Sequence, residues 1–251
     1  MISFVGAGPG DEDLITVKGR KLIEAADTVI YAGSLVSKVH LKYCKENCKN
    51  YDSAGMTLEE VVNIMEKSQN ENENLVRLHT GDPTIYGAIR EQMDELDKRN
   101  IKYEVIPGVS SFTASCAAIK KEFTLPSVSQ TVIITRMEGR TKVPEGEKLE
   151  LLAAHKASMS IFLSAQNIEK VVEKLKLGYG REDVPVAVVY KATWPDEKII
   201  YGTLKDIAEK VKDNGIKNFA QILVGNFIDG DYNRSKLYDP EFSHGFRKGK
   251  K

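Results

Sequence analysis

The stretch "ISFVGAGPGDEDLIT", residues 2–16, decides how the chain is read. An apolar run that reads as a buried strand breaks into Gly6-Ala7-Gly8-Pro9-Gly10, and Asp11, Glu12 and Asp13 follow at once. A dinucleotide-binding turn carries G-x-G-x-x-G, with its third glycine allowing close packing of the following helix. Here the sixth position is Asp11, and Pro9 lacks the N–H that a phosphate nest uses. Three successive acids repel a pyrophosphate. The second strand ends "IYAGS", without the acid expected to hold a ribose. The turn therefore reads as a place for tight reversal and close backbone approach, with no phosphate in it.

Outward from this turn, strand and helix patterns alternate. The segment 16–27, "TVKGRKLIEAAD", has helical spacing and "TVIYAG" is a second strand. Residues 35–47, "LVSKVHLKYCKEN", read as a helix, and Thr57 with Glu60 forms a T-x-x-E capping box that starts another. "SQNENEN", residues 68–74, reads as a polar surface loop. "LVRLH" is a strand, and 84–99 predicts an amphipathic helix with Ile85, Ile89, Met93 and Leu96 on one face. "IKYEVIPG" is the next strand. This alternation predicts a first α/β domain, residues 1–112, on a mainly parallel sheet with ligand loops at the strand C-termini.

The second half differs. "TVIITR", "SIFLS" and "PVAVVY" are strands, and "KIIYGTL" follows the last after only "KATWPDE", too short for a helical crossover. Those two strands should pair antiparallel. With "AQILVGNF" they predict a mixed-sheet α/β domain over 113–231, followed by a polar, basic tail, 232–251, expected to be loosely ordered.

Composition bounds the function. Lys+Arg 36 balances Asp+Glu 36, so no overall field draws nucleic acid or an anionic membrane. No stretch approaches the ~20 apolar residues of a membrane helix, and the N-terminus does not read as a signal peptide. Three cysteines make no disulfide framework, which points to a reduced cytoplasmic protein. Cys44 and Cys48 have a metal-compatible spacing but lack further ligands to complete a set, so no metal is expected.

Two further stretches stand at strand ends. In "HTGDPTIYG", residues 79–87, Gly81 allows a ligand close to the backbone, and Asp82 either caps the next helix, shapes a pocket, or does both. In "VIPGVSS", Ser110 and Ser111 open a helix after Pro107-Gly108.

Together, "VGAGPGD", "GDP…YG" and "PGVSS" resemble the tetrapyrrole methylase family, over residues 1 to about 230. That resemblance implies two α/β domains with a cleft between them for the methyl donor S-adenosylmethionine, and a homodimer. The stretches 31–36, 54–60, 79–93, 130–149 and 188–199 resemble the branch that methylates C11 of precorrin-4 or cobalt-precorrin-4 in cobalamin biosynthesis. By the same resemblance the cofactor residues are Pro9, Thr80, Gly81, Asp82, Ile85, Ser110, Ser111, Leu163 and Ala192. Leu163 stands where the family often has methionine, and Ala192 where it often has glycine.

Methyl transfer from a sulfonium to carbon needs alignment and exclusion of water more than a strong acid or base. No Ser-His-Asp or paired-carboxylate pattern is present, and no catalytic residue is assigned. Of the four histidines only His79 adjoins a proposed cofactor loop, with a structural hydrogen-bonding role expected. A flat macrocycle fringed with carboxylates calls for Arg or Lys beside apolar surface. The first candidates are Arg136 and Arg140, then Lys191 and Trp194, with Tyr31 and Ser34 at the end of strand two. Competing readings are methylation at another ring position such as C17 or C20, a nucleic-acid methylase of the same superfamily, and a sensor that binds without turnover.

Overall fold

The computed structural model describes residues 1–33 and 36–250. Contacts divide the chain into two units, Met1–Ala114 with Thr193–Pro195, and Ser115–Ala192 with Asp196–Lys251.

In the first unit, strands β1 (Ile2–Gly6), β2 (Thr28–Tyr31), β3 (Lys49–Asp52), β4 (Leu75–His79) and β5 (Tyr103–Ile106) form one parallel sheet in the order β3-β2-β4-β1-β5. Side chains alternate across it. Val5, Val29, Val76 and Leu78 pack on one face with Ile23 of helix α1 (Val17–Ala25). Ile2, Phe4, Ile30 and Leu75 pack on the other with Met65 of α2 (Leu58–Asn70) and Leu96 of α3 (Arg90–Lys98). Burying each such side chain contributes about 1.5–3 kcal/mol. The capping box is formed: the Thr57 hydroxyl accepts the Glu60 amide and the Glu60 carboxylate accepts the Thr57 amide.

One strand has no counterpart in the sequence pattern, and three local expectations are corrected. The edge strand β3 carries no apolar alternation and is mostly exposed; it exists because its backbone pairs with β2. Within 35–47 the described residues form only a 3-10 turn, Lys38–Tyr43, opened by the Ser37 hydroxyl accepting the Val39 amide. Helix α2 runs on through Ser68 to Asn70, because Ser68 is buried on its inner face, and the loop is shorter than expected. Helix α3 starts at Arg90, not Thr84. The Asp82 carboxylate holds Thr84 in a turn, Tyr86 and Ala88 take left-handed φ of 54° and 48°, and a Cβ on Gly87 would stand 2.0 Å from the Pro83 carbonyl.

Helix α4 (Ser111–Ala118) runs across the boundary between the two units. The second unit holds β6 (Val132–Arg136), α5 (Leu149–Ala153), β7 (Ser158–Phe162), α6 (Ile168–Tyr179), β8 (Pro185–Tyr190), β9 (Lys198–Thr203), α7 (Ile207–Asp213) and β10 (Ala220–Val224). Its sheet order is β6-β7-β10-β8-β9, with β6 and β7 parallel and the other pairs antiparallel. The short β8–β9 connection does join antiparallel neighbours. Helix α6 buries Ile168, Val171, Val172, Leu175 and Tyr179 at helical spacing and stops at Gly180, φ 69°. The tail is tied locally: Asn233 Nδ2 donates to the Ser127 hydroxyl, and the Arg247 guanidinium gathers the carbonyls of Leu237, Asp239 and Phe242.

Candidate active site

The carboxyl ends of β4, β1 and β5 lie side by side, and the three glycine-containing loops leaving them are cross-tied. The Ala7 amide donates to the His79 carbonyl at 2.7 Å, and Gly8 and Gly81 form an antiparallel bridge. Both bridge glycines have positive φ, 78° and 59°. Neither Gly6 nor Gly108 can carry a side chain, since a Cβ would stand 2.6 and 2.1 Å from the Gly81 carbonyl oxygen. Asp82 completes the tie: one carboxylate oxygen accepts the Gly108 amide at 3.0 Å, the other the Thr84 amide at 2.8 Å. Asp82 thus joins the second loop to the third and caps no helix, since α3 begins at Arg90 after Ile89 and the carboxylate holds only the Thr84 turn.

The structure brings Pro9, Thr80, Gly81, Asp82 and Ser110 onto this end of the first unit. Thr80 is exposed, Ile85 is half-buried in the turn after Asp82, Ser110 is buried, and Ser111 opens α4. Two of the acids after the opening turn have side-chain partners. Asp11 caps the 3-10 turn Glu12–Leu14, and Glu12 pairs with Lys42 and accepts the Tyr43 hydroxyl, which lowers its pKa.

Beneath the loops lie two unusual buried groups. Among the described residues Arg77 has no carboxylate partner; its Nε donates to Gln92 Oε1 at 3.3 Å and one terminal nitrogen donates to the Ile30 carbonyl at 3.4 Å. Burial lowers its pKa to about 10, so it remains a cation at neutral pH. On the same face of β4, His79 is pushed down to about 3 by burial and then by Arg77, and its Nε2 has no hydrogen-bond partner. The expected hydrogen-bonding role falls to the His79 backbone instead. His40, buried against the opening loop, is also lowered by burial, and its Nδ1 is unpartnered.

In the second unit, Leu163 follows β7 with φ 53° and 70% exposure, an apolar side chain held outward on left-handed backbone. Ala192 is buried. Arg136 donates to the carbonyls of Met137, Thr141 and Lys142, shaping the 137–142 loop, and Lys191 pairs with Asp196 at 2.6 Å. Both cations are engaged within their own loops. Arg140 lines a groove of about 700 Å³ and of mixed charge, where Lys148, Lys170 and Lys174 alternate with Glu138, Glu150 and Glu173. Tyr31 packs in the core beneath β2, because its strand position faces inward. Ser34 lies outside the described residues.

Among the described residues no group of three His, Cys, Asp or Glu side chains is placed to hold a metal ion. The Cys48 thiol is pushed up to about 12 by burial and the Cys44 thiol is raised, which holds both protonated. No helix among the described residues is long and apolar enough to cross a membrane. Sequence reasoning missed Arg77 and Gln92, since a buried cation inside an apolar strand pattern has no local signature. It also missed the contact of Thr193 and Trp194 with the opening loop, where the Trp194 indole N–H donates to the Pro9 carbonyl at 2.8 Å.

The model of the Tetrapyrrole (Corrin/Porphyrin) Methylases matches residues 1–208. The chain is 58% identical over 251 residues to a cobalt-precorrin-4 C(11)-methyltransferase of Methanocaldococcus jannaschii, covering 100% of this chain and 97% of that protein. It is similar to the X-ray structure of a cobalamin biosynthetic enzyme, cobalt precorrin-4 methyltransferase, with a TM-score of 0.89 and 49% identity over 91% of this chain and 95% of the other. The uroporphyrin-III C-methyl transferase of Thermus thermophilus, solved with S-adenosyl homocysteine, shares the fold at a TM-score of 0.74 and 22% identity, over 91% of this chain and 93% of that one. Matched along this length and on this architecture, the chain belongs to the tetrapyrrole (corrin/porphyrin) methylase family.

Proposed function

We propose that the protein transfers a methyl group from S-adenosylmethionine to C11 of cobalt-precorrin-4, giving cobalt-precorrin-5 in cobalamin biosynthesis. The observation that carries this reading is the cross-tied platform of Gly6, Gly81 and Gly108, held by Asp82. It brings backbone within reach of a ligand while offering no phosphate nest, which suits a donor without phosphates. At Gly81 the absent side chain leaves room: the atoms nearest to a Cβ there lie at 3.6 Å or beyond. Thr80, Gly81, Asp82 and Pro9 would hold the donor, with Ile85, Ser110 and Ser111 beside them.

When bound, the donor would supply an electrophilic methyl on a sulfonium, and the methylated ring would give up one proton. What this chain contributes is a fixed backbone frame. Its hydrogen bonds are made before binding, so little ordering remains at the moment of reaction. Arg140 is the proposed contact for a substrate carboxylate, because it lines an open groove while Arg136 and Lys191 are engaged within their own loops. By the same family reading the protein is a cytoplasmic homodimer, which sedimentation of the purified chain tests.

The test is calorimetric titration with S-adenosylhomocysteine beside NAD, followed by incubation with cobalt-precorrin-4 and the methyl donor. Binding of the thioether alone and a product heavier by one methylene at C11 are expected. Binding of NAD alone, or methylation at another ring position, overturns the reading.

A further inference from the structure

The opening turn, Gly6-Ala7-Gly8-Pro9-Gly10, is built from residues that constrain it little, apart from Pro9. One backbone group within it and one just after it are satisfied by a segment remote in the chain. The Asp11 amide donates to the Thr193 hydroxyl at 3.0 Å, and the Pro9 carbonyl accepts the Trp194 indole N–H at 2.8 Å. The Trp194 ring also lies where a side chain of residue 10 would be: a Cβ on Gly10 would stand 2.1–2.2 Å from its Cδ1 and Nε1. Gly10 is therefore glycine because the indole covers it. Thr193–Pro195 lies between β8 and β9 in sequence yet clusters with the first unit. The connection that carries it is itself set: Lys191 and Asp196 pair across it, the Lys191 amide donates to the Phe219 carbonyl at 2.8 Å, and Lys191 and Thr193 hold left-handed φ of 47° and 70°.

We propose that Trp194 is a positioning residue for the methyl donor: its indole N–H and ring, with the Thr193 hydroxyl, hold the Pro9–Asp11 turn in the shape that receives the donor. This rests on the reading of Pro9 as part of the donor site. It gives the "KATWPDE" stretch a task distinct from substrate recognition. An unheld Gly-Pro-Gly turn samples many shapes, and the donor would have to bear the ordering cost on binding.

Trp194 is the single tryptophan of the chain, so its fluorescence reports this contact directly. Titrating the wild-type protein with S-adenosylhomocysteine should change Trp194 emission and its quenching by acrylamide, saturating at the concentration found by calorimetry. Trp194→Phe keeps a ring but removes the donor hydrogen. It should raise the Kd for S-adenosylhomocysteine and the KM for S-adenosylmethionine about 5- to 10-fold, as expected for one lost hydrogen bond, with kcat and the KM for the tetrapyrrole within twofold. Gly10→Ala, which keeps Trp194 but displaces its ring, should show the same split, and it serves if Trp194→Phe fails to fold. Wild-type binding without any change in emission, or unaltered donor affinity in either variant, overturns the positioning role. A rise confined to the KM for the tetrapyrrole also overturns it and makes Trp194 a substrate contact. Absence of S-adenosylhomocysteine binding to the wild type itself overturns the donor-site reading and this proposal together.

Discussion

Asp82 and Gly108, 26 positions apart, are joined by a single hydrogen bond of 3.0 Å from the Gly108 amide to the Asp82 carboxylate. The same carboxylate turns the chain at Thr84. One side chain thereby sets the separation of two loops, and the carbonyl of its neighbour Gly81 fills the gap between Gly6 and Gly108.

Asp82→Ala removes both acceptors and leaves the partly buried Gly108 amide without its partner. Chemical denaturation should show a loss of about 1.5–3 kcal/mol, the range for a hydrogen bond to a charged group. S-adenosylhomocysteine affinity should fall at least tenfold by calorimetry. Asp82→Asn keeps an acceptor oxygen and should lie between Asp82→Ala and the wild type on both scales. Wild-type affinity in the alanine variant would remove Asp82 from the site.

Gly81→Ala and Gly108→Ala separate backbone strain from steric exclusion. At Gly81 a methyl has space, so the cost is the left-handed φ of 59°, about 1–2 kcal/mol. At Gly108 the methyl meets the Gly81 carbonyl at 2.1 Å and the loops must part. Thermal melting and calorimetry on the pair should rank Gly108→Ala as the more damaging; the reverse order would contradict the cross-tied geometry.

Stability should fall with acidification before the carboxylates titrate. His79 and His40 both have folded pKa values below the ordinary 6.5, so as pH drops the unfolded chain takes up protons first. The stability is fully present above about pH 6.5. For His79 it is lost progressively toward pH 3, at up to about 1.4 kcal/mol per pH unit for one proton. Urea denaturation between pH 7 and 5 should show this slope, and His79→Leu should reduce it to the part that His40 contributes.

Arg140→Ala should raise the KM for the tetrapyrrole about two- to fivefold, as loss of one exposed charge pair does, while S-adenosylhomocysteine binds as before. Parallel steady-state and calorimetric measurements decide it; an unchanged KM excludes Arg140 from substrate recognition.

Thr57→Ala removes a cap whose partner Glu60 bonds back to the Thr57 amide. A loss of about 1 kcal/mol in denaturation, with donor affinity intact, is expected for helix α2.

The elements legible in the sequence are those whose cause is local. The alternation of buried strands and helices announced the parallel sheet, a seven-residue connection announced the antiparallel β8–β9 pair, and Thr57 with Glu60 announced the start of α2. The glycine turns at the ends of β1, β4 and β5 marked where backbones approach closely. Those features depend on side-chain period, glycine freedom and capping, all set within a few residues.

What only the tertiary structure decided depends on partners distant in the chain. Strand β3 has no pattern of its own and forms by pairing with β2. Arg77 is held in the core by Gln92 and a β2 carbonyl, and α3 starts late because Asp82 bends the residues before it. Trp194 reaches a carbonyl 185 positions away. The sequence by itself determined which segments become strands and helices and which loops can lie close to a ligand. Which side chain holds those loops was decided by packing, because a hydrogen bond between remote segments leaves no periodic trace in either one.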